Sequence, residues 1–590
     1  MNMLLWGHVM IMKSLVSTLQ KQASEIIQRL FTKQNLGGDI TQSTHPKFGH
    51  YQCNSAMKLA QSLRQKPRDI AQQIVERWEK GEMIKSLTVA GPGFINITLS
   101  REFLSKEISQ VALDPRLGVP LSAKTERVVI DFSSPNVAKE LHVGHLRSTI
   151  IGESLARLLE FLGHAVLRLN HIGDWGTQFG MLIAYLKEDH PEALSDSKQT
   201  NLSSLMHWYR ESKKLFDNNP RFKKRAQLQV VNLQCGEKGA IDAWKKICEI
   251  SRKSFQEIYD ILDVKLTERG ESFYNAMLPQ VVADCETKGL VTISHGAKCI
   301  FLEGFKAKDL TPLPLILQKS DGGYNYDTTD LAAISHRVKK EGATRIIYVV
   351  DAGQQLHFQM DFKAAELVGY YNPKTVRLEH VPFGSVLGLD GKKFKTRSGK
   401  TVKLIDLLQE AIRQAKEMLQ ERLKESVSEE ELNHLAHVLG INGVKYADLS
   451  SHRLKDYVFS YDRMLKFDGN TATYLLYSYV RIQGIKRNCN KDINSIVATS
   501  PIELKHETEI ALGLKLRQFG ETLSSMERDL LPNRLADYLY DLAEKFHLFF
   551  RDCRVNGTPE ESSRIALCEV TSRILKQGLY LLGLKTTARM

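Results

Sequence analysis

Residues 133–148 read SSPNVAKELHVGHLRS, with His142 and His145 three apart and Gly144 between them. Histidines at that spacing share a helix face, as metal-ligating pairs do. No HExxH surrounds them, however, and no cysteine or carboxylate nearby has ligand spacing. Their position points to a different chemistry. The pair lies just after an apolar run, RVVID (127–131), where the chain turns into a helix. In an open α/β sheet, ligands bind at the carboxyl ends of strands, beside helix N-termini. Free N–H groups and the positive end of the helix dipole suit a phosphate there. Two imidazoles can donate to phosphate oxygens, and Gly144 leaves room for a base or ribose to approach the backbone. Taken alone, the pair reads as two histidines capping a helix; the rest of the chain has to decide.

The elements that must position this pair form a βαβ unit. RVVIDFSS (127–134) reads as a buried parallel strand, residues 144–162 as a helix closed by Gly163, and HAVLRLNHI (164–172) as a second strand. RIIYVVDA (345–352) and YYNPKTVRLEHVPF (370–383) supply further strands. The middle of the chain, 120–405, is therefore expected to be an α/β, doubly wound, parallel-sheet (Rossmann-like) domain, interrupted at about 185–310 by a largely helical insertion. Before it, 12–115 reads as an α+β unit, followed by a proline-containing linker at 113–125. After it, 406–590 reads as an all-α helical bundle. Ser428 and Glu431 suit a capping box there, and Leu535, Leu539, Leu542, Phe546 and Phe549 form a core stripe at helical spacing.

With 590 residues, 42% hydrophobic and 25% charged, the chain has material for several cores. The net charge of +13 favours a polyanionic partner, nucleic acid first. The eight cysteines contain no CxxC pair, which excludes a zinc-finger or disulfide framework and suits a reducing, cytoplasmic setting. The opening MNMLLWGHVMI lacks a basic n-region and a cleavage site, so a signal peptide is not expected. Nor is a membrane span, for want of a run of about 20 apolar residues.

HVGH after a first strand resembles the HIGH signature of class I aminoacyl-tRNA synthetases. Their second signature, KMSKS, belongs on a loop after the last strand of the same domain. Here that loop reads GKKFKTRSGK (391–400), with Thr396 where the family's second lysine would stand. Arginyl-tRNA synthetases often lack that lysine and carry one just upstream of HIGH, the place Lys139 occupies. NHIGDWGTQFG (170–180), GESFY (270–274), YDTTD (326–330), YVVDAGQQLHFQ (348–359) and DGNTATYLLYSYVRI (468–482) also resemble segments of the bacterial-type arginyl enzyme, in order. The resemblance covers 12–590.

The resemblance implies an arginine–tRNA ligase. It would use L-arginine, ATP with Mg²⁺ as a substrate complex, and tRNA(Arg), with no protein-bound metal, as a monomer. It places His142, His145, Lys139, Lys395 and Arg397 in catalysis, and these groups except Arg397, together with Gly144, around ATP. It puts Asp131, Ser134, Asn136, Tyr326, Asp330 and Gln354 around arginine, carboxylates being the natural partners of a guanidinium. Phe48 and Gln52, in a module contacting the tRNA elbow, and Tyr474, in an anticodon-reading bundle, are the expected tRNA contacts. His50 stands where the family usually has aspartate. Three rival readings fit the sequence less well. A different class I synthetase such as the cysteine enzyme lacks support because zinc-ligand cysteines are missing. A non-catalytic tRNA-binding protein would have no use for an ATP site. A nucleotidyltransferase on a small substrate would not need the basic charge and the long helical C-terminus.

Overall fold

The computed structural model of the chain describes residues 13–32, 37–43, 45–195, 201–307, 309–392, 402–423, 427–489 and 491–590. Two compact units share the chain. One holds Ser122–Leu465 with Leu581–Leu584; the other joins the residues up to Leu121 with Lys466–Tyr580 and Lys585–Met590.

The first unit is built on five parallel strands: β1 (Arg127–Asp131), β2 (Ala165–Asn170), β3 (Thr267–Glu268), β4 (Arg345–Tyr348) and β5 (Arg377–His380). Their spatial order is β5-β4-β1-β2-β3. From β1 the chain steps one way to β2 and β3, then crosses back to β4 and β5. The order therefore reverses between β1 and β4, which is where open α/β sheets bind ligands. Val128, Val129 and Ile130 of β1 and all four residues of β4 are buried, the uniform apolarity of strands covered on both faces. Three helices bear on the site: α1 (Val143–Phe161), α2 (Tyr326–Lys339) and α3 (Gln355–Val368). Helix α1 ends as its sequence suggests, with Gly163 at φ 95°.

The segment expected as one insertion, 185–310, is divided. Helices from Thr177 to Ile261 come first, the chain then returns to the main sheet as β3, and a separate antiparallel sheet (Val291–Ser294, Ala297–Lys306, Pro312–Gln318) precedes α2. A two-residue strand carries no periodicity from which to foresee that return. The change of unit expected at 405/406 falls at Leu465 instead. Helices Leu404–Leu423 and Glu429–Leu449 pack on each other and on α1. Loss of strand signal after 403 does not mark the boundary, because helical periodicity does not say which unit an apolar face packs on.

In the second unit, helix Leu15–Leu30 is capped by Ser14, whose side chain accepts from the Ser17 N–H. It lies with a four-stranded antiparallel sheet ordered Ile40–Gln42, Tyr51–Cys53, Phe94–Leu99, Ile84–Ala90. The C-terminal helices join the same unit: Arg517 pairs with Glu107 at 2.7 Å, and Arg573 donates to the carbonyls of Ala112 and Asp114. Leu535, Leu539, Leu542, Phe546 and Phe549 are fully buried, as the stripe predicts.

One ion pair ties the histidine-bearing helix to the rest of the first unit. Arg147, two residues past His145, is completely buried and pairs with buried Asp448 at 2.9 Å. Its guanidinium also donates to the carbonyls of Gly384, Lys455 and Arg453 and lies 5.2 Å from the Tyr457 ring centroid. Removing one partner of a buried pair strands the other charge, at a cost of about 3–5 kcal/mol. Arg147→Leu is expected to lower the urea midpoint of unfolding by a corresponding amount. Arg147→Leu with Asp448→Leu should recover a large part of the loss.

Candidate active site

A cavity of about 680 Å³ opens at the reversal between β1 and β4, lined among others by Ser134, Asn136, His142, Gly144, His145, His171, Glu271, Tyr326, Asp330, Gln354 and His357. Its volume is that of an ordinary small-molecule site.

The chain leaving β1 is held under strain. Ser133, Ser134 and Ala138 all have positive φ, at 71°, 47° and 60°, conformations that cost non-glycine residues of order 1 kcal/mol each and cluster at functional sites. Side chains from three other elements hold them. Ser133 N–H donates to Ser148 Oγ at 2.9 Å, Ser134 N–H to Asn170 Oδ1 at 3.0 Å, and Ala138 N–H to Ser251 Oγ at 3.1 Å.

His142 is the N-cap of α1. Its Nδ1 accepts the Gly144 N–H at 3.1 Å, and the His145 Nδ1 accepts the His142 N–H at 3.0 Å, a reciprocal capping box made by two histidines. The capping reading therefore holds, and it leaves the Nε2 side of each ring free of the cap. Accepting at Nδ1 places each ring hydrogen on Nε2 when the ring is neutral. Burial, with Lys139 nearby, lowers the His142 pKa; burial, His142 and Lys139 push His145 down to about 3. The two rings, 4.0 Å apart, are therefore neutral donors at pH 7 rather than cations. Gly144 has a local reason as well: a Cβ there would lie 2.9 Å from the His142 ring.

Asp131 does not line the cavity. Its carboxylate pairs with fully buried Arg337 of α2 at 2.7 Å and accepts from Ser134 Oγ at 2.8 Å. The charge ending β1 does have a partner, but an internal one, and Ser134 is spent in the same network. Asp330 does face the cavity, as do Tyr326, Asn136 and Gln354. Asp330 takes a 2.8 Å bond from His357 Nε2. Burial opposes its ionisation, yet that bond and the charges of His357, His171 and Arg337 hold its pKa below the ordinary aspartate value. Lys139 is exposed and outside the lining. Lys395 and Arg397 lie outside the described residues.

Three lining residues were not singled out by spacing. His171, after β2, stacks on Tyr274 with 5.4 Å between centroids. Glu271, in the GESFY segment, is driven up to about 8 by burial and by the charges of Asp330 and Asp174. His357, in the YVVDAGQQLHFQ segment, lies between α2 and α3. Asp327, His357 and Asp361 bring ligand atoms within 4.8 Å of one another, but the ring nitrogens stand 3.3 Å and 2.9 Å from these carboxylates, at or near hydrogen-bonding range. Ring protons can occupy the place a metal would take.

In the second unit Tyr474 is buried, its hydroxyl bonded to Glu544 and His547. Its ring therefore packs within the bundle, where its aromatic spacing places it. Phe48 is half-buried with Lys47 over its ring at 5.0 Å, and Gln52 donates to Asn96 at 2.8 Å. His50 Nδ1 accepts the Leu99 N–H at 3.1 Å.

Residues 107–461 match the family described as tRNA synthetases class I (R), catalytic domain, which sets the class of protein to which this sheet and histidine pair belong. Residues 17–99 match an arginyl tRNA synthetase N terminal domain, and 475–590 a DALR anticodon binding domain. A protein of Protochlamydia amoebophila named arginine–tRNA ligase is 59% identical over 94% of this chain and 95% of its own. One of Nostoc punctiforme with the same name is 50% identical over 97% and 99%. The arginyl-tRNA synthetase structure from Plasmodium falciparum superposes with a TM-score of 0.87 at 34% identity, covering 99% of this chain and 100% of that one. The chain belongs to the arginyl-tRNA synthetase family.

The close approach of two backbones at the cavity rim gives a test of the geometry. Gly173 N–H donates to the Pro135 carbonyl and its own carbonyl accepts from Val137, both at 3.0 Å. A Cβ on Gly173 would lie 2.2 Å from Asn136 Oδ1. Gly173→Ala is expected to lower kcat/KM in arginine-dependent ATP–pyrophosphate exchange by about 10²-fold through displacement of Asn136, with unchanged far-UV circular dichroism.

Proposed function

We propose that this chain joins L-arginine to tRNA(Arg) in two steps. The arginine carboxylate attacks the α-phosphate of ATP, brought as its Mg²⁺ complex; pyrophosphate leaves and arginyl-adenylate forms. The acyl group then passes to the 2′-hydroxyl of the terminal adenosine, and AMP leaves. The observation that carries this reading is one cavity lined both by the two imidazoles at the N-terminus of α1 and by carboxyl groups. His142 and His145 offer Nε2–H groups beside the N-terminus of α1, where an anion is favoured. Asp330 and Glu271 offer acceptors to a guanidinium, with Tyr326 at the rim. No covalent enzyme intermediate is needed: catalysis is positioning plus hydrogen bonds that strengthen as charge builds on the α-phosphate.

The tRNA is read by the second unit, with Phe48 and Gln52 as candidate contacts, and its phosphates are met by the chain's excess of lysine and arginine. No helix of the described residues is long and apolar enough to cross a membrane. The eight cysteines form no disulfide, which suits a reducing compartment such as the cytoplasm.

The deciding experiment is ATP–pyrophosphate exchange with arginine, with and without tRNA(Arg). Exchange that requires both substrates is expected, the tRNA completing the site by induced fit. Absence of exchange with tRNA still bound would favour a binding protein. His142→Asn and His145→Asn are each expected to lower kcat by about 10²–10³-fold, the loss typical of a deleted transition-state donor. KM for arginine should stay near its original value, and asparagine at 142 keeps the helix cap.

The pKa of Glu271 sets a pH dependence. Below about 8 its carboxyl holds a proton and offers a cation little; above, it is a carboxylate. Arginine affinity is therefore expected to rise from pH 7 to pH 9, with proton release on binding at pH 7, measured by calorimetry in buffers of different ionisation enthalpy. Glu271→Gln should flatten the rise.

A further inference from the structure

Asp330 is the acid of α2 that faces the cavity, and something must keep it ionised and still. The group that touches it is His357 of α3. One ring nitrogen, Nε2, lies 2.8 Å from Asp330 Oδ2 and 2.9 Å from Asp361 Oδ2; the other, Nδ1, lies 3.3 Å from Asp327 Oδ1. Asp327 and Asp330 are three apart on α2, and His357 and Asp361 four apart on α3, so both pairs lie on facing sides of the two helices. Tyr326 closes the cluster, its ring edge-on to the imidazole at 5.0 Å.

We propose that His357 is a positioning residue for the amino-acid substrate: its ring, held between Asp330 and Asp361 and backed by Asp327, aims the Asp330 carboxylate at the guanidinium. This inference rests on the function proposed above. Both ring nitrogens face carboxyl oxygens, which only a doubly protonated ring can satisfy as a donor at both. Although burial disfavours the charge, the bonds to Asp327, Asp330 and Asp361 raise the His357 pKa far above the ordinary histidine value. Asp361, wholly buried, moves the opposite way from Asp330. Burial and the Asp330 charge outweigh the bond from His357 and raise its pKa. The ring thus sits between one carboxylate turned to the cavity and one buried acid behind it. Without the ring, Asp330 would lose the donor that fixes its orientation and favours its charge. The arrangement also bears on selectivity. Citrulline has the shape of arginine but a neutral urea group, and it gains nothing from an ionised Asp330.

The test compares His357→Asn and Asp361→Asn with the unaltered full-length protein in ATP–pyrophosphate exchange with tRNA(Arg), varying arginine and ATP separately. Thermal melts check folding. His357→Asn is expected to raise KM for arginine at least 30-fold, to change KM for ATP and kcat less than threefold, and to shrink the preference for arginine over citrulline by a similar factor. Asp361→Asn, which keeps the shape and an oxygen acceptor behind the ring, should move KM for arginine less than a tenth as far. A KM for arginine within threefold of the original in folded His357→Asn would overturn the proposal. So would a rise of 30-fold or more in Asp361→Asn, which would make the buried acid rather than the ring the group that sets the substrate contact; if His357→Asn fails to fold, the Asp361→Asn result decides alone. Failure of the unaltered protein to exchange would instead count against the proposed function.

Discussion

The buried guanidinium of Arg147 is the constraint on which the site depends. It leaves α1 two residues after His145 and meets, in one place, the carboxylate of Asp448 and the carbonyls of Gly384, Arg453 and Lys455. Gly384 lines the cavity. Arg147 therefore ties α1 to the chain that follows β5, as the Ser148 hydroxyl ties it to the Val349 carbonyl at 2.6 Å. Helix packing alone tolerates shifts of an ångström; five donors in a rigid fork do not. The pair with Asp448 need not add net stability, since desolvating both charges is costly. It fixes a geometry, and the strained turn after β1 is usable only against a helix that does not move.

The charge at the end of β1 works on the same principle. Asp131 and Arg337 are 206 residues apart in the chain and 2.7 Å apart in space. With that charge answered inside the protein, Asp330 and Glu271 are the carboxyl groups that line the cavity. Internal pairing and external recognition are assigned to different carboxyl groups by which helix reaches which strand end.

This explains how much could be read from the sequence. The sheet was legible because residues 128–130 and 346–348 are continuous apolar runs, and the histidine pair because local spacing places it where a strand becomes a helix. Tyr326 and Asp330 could be put on one face by counting. Asp131 could not be separated from Asp330 in this way: the difference is Arg337, and nothing local announces that partner. His357 and Glu271 escaped for the same reason, since their roles come from neighbours on other elements. GESFY and YVVDAGQQLHFQ did signal that something was there, and a carboxyl group and a histidine inside them were the residues to suspect. Tyr474 shows the converse ambiguity, an aromatic whose spacing fits both a stacking surface and a core, and which the fold buries. The second unit's boundary at Leu465 was hidden because helices at 404–449 carry the same periodicity whichever core they face.

The second unit is made from the two ends of the chain, with the residues of the first unit between them. During synthesis the early segment leaves the ribosome long before the helices that complete its core. At a translation rate of about 5–20 residues per second, that wait is roughly 20–70 s. The first unit in turn closes only with Leu581–Leu584, where Lys445 finds one of its buried carbonyl acceptors at Gly583 and Ser154 finds one at Leu581. A nascent chain therefore carries two incomplete cores at once, until the helices up to Tyr580 and the segment Leu581–Leu584 have emerged. Truncation before Leu581 would remove an acceptor of Lys445 and one of Ser154, and so disturb the first unit as well as the second.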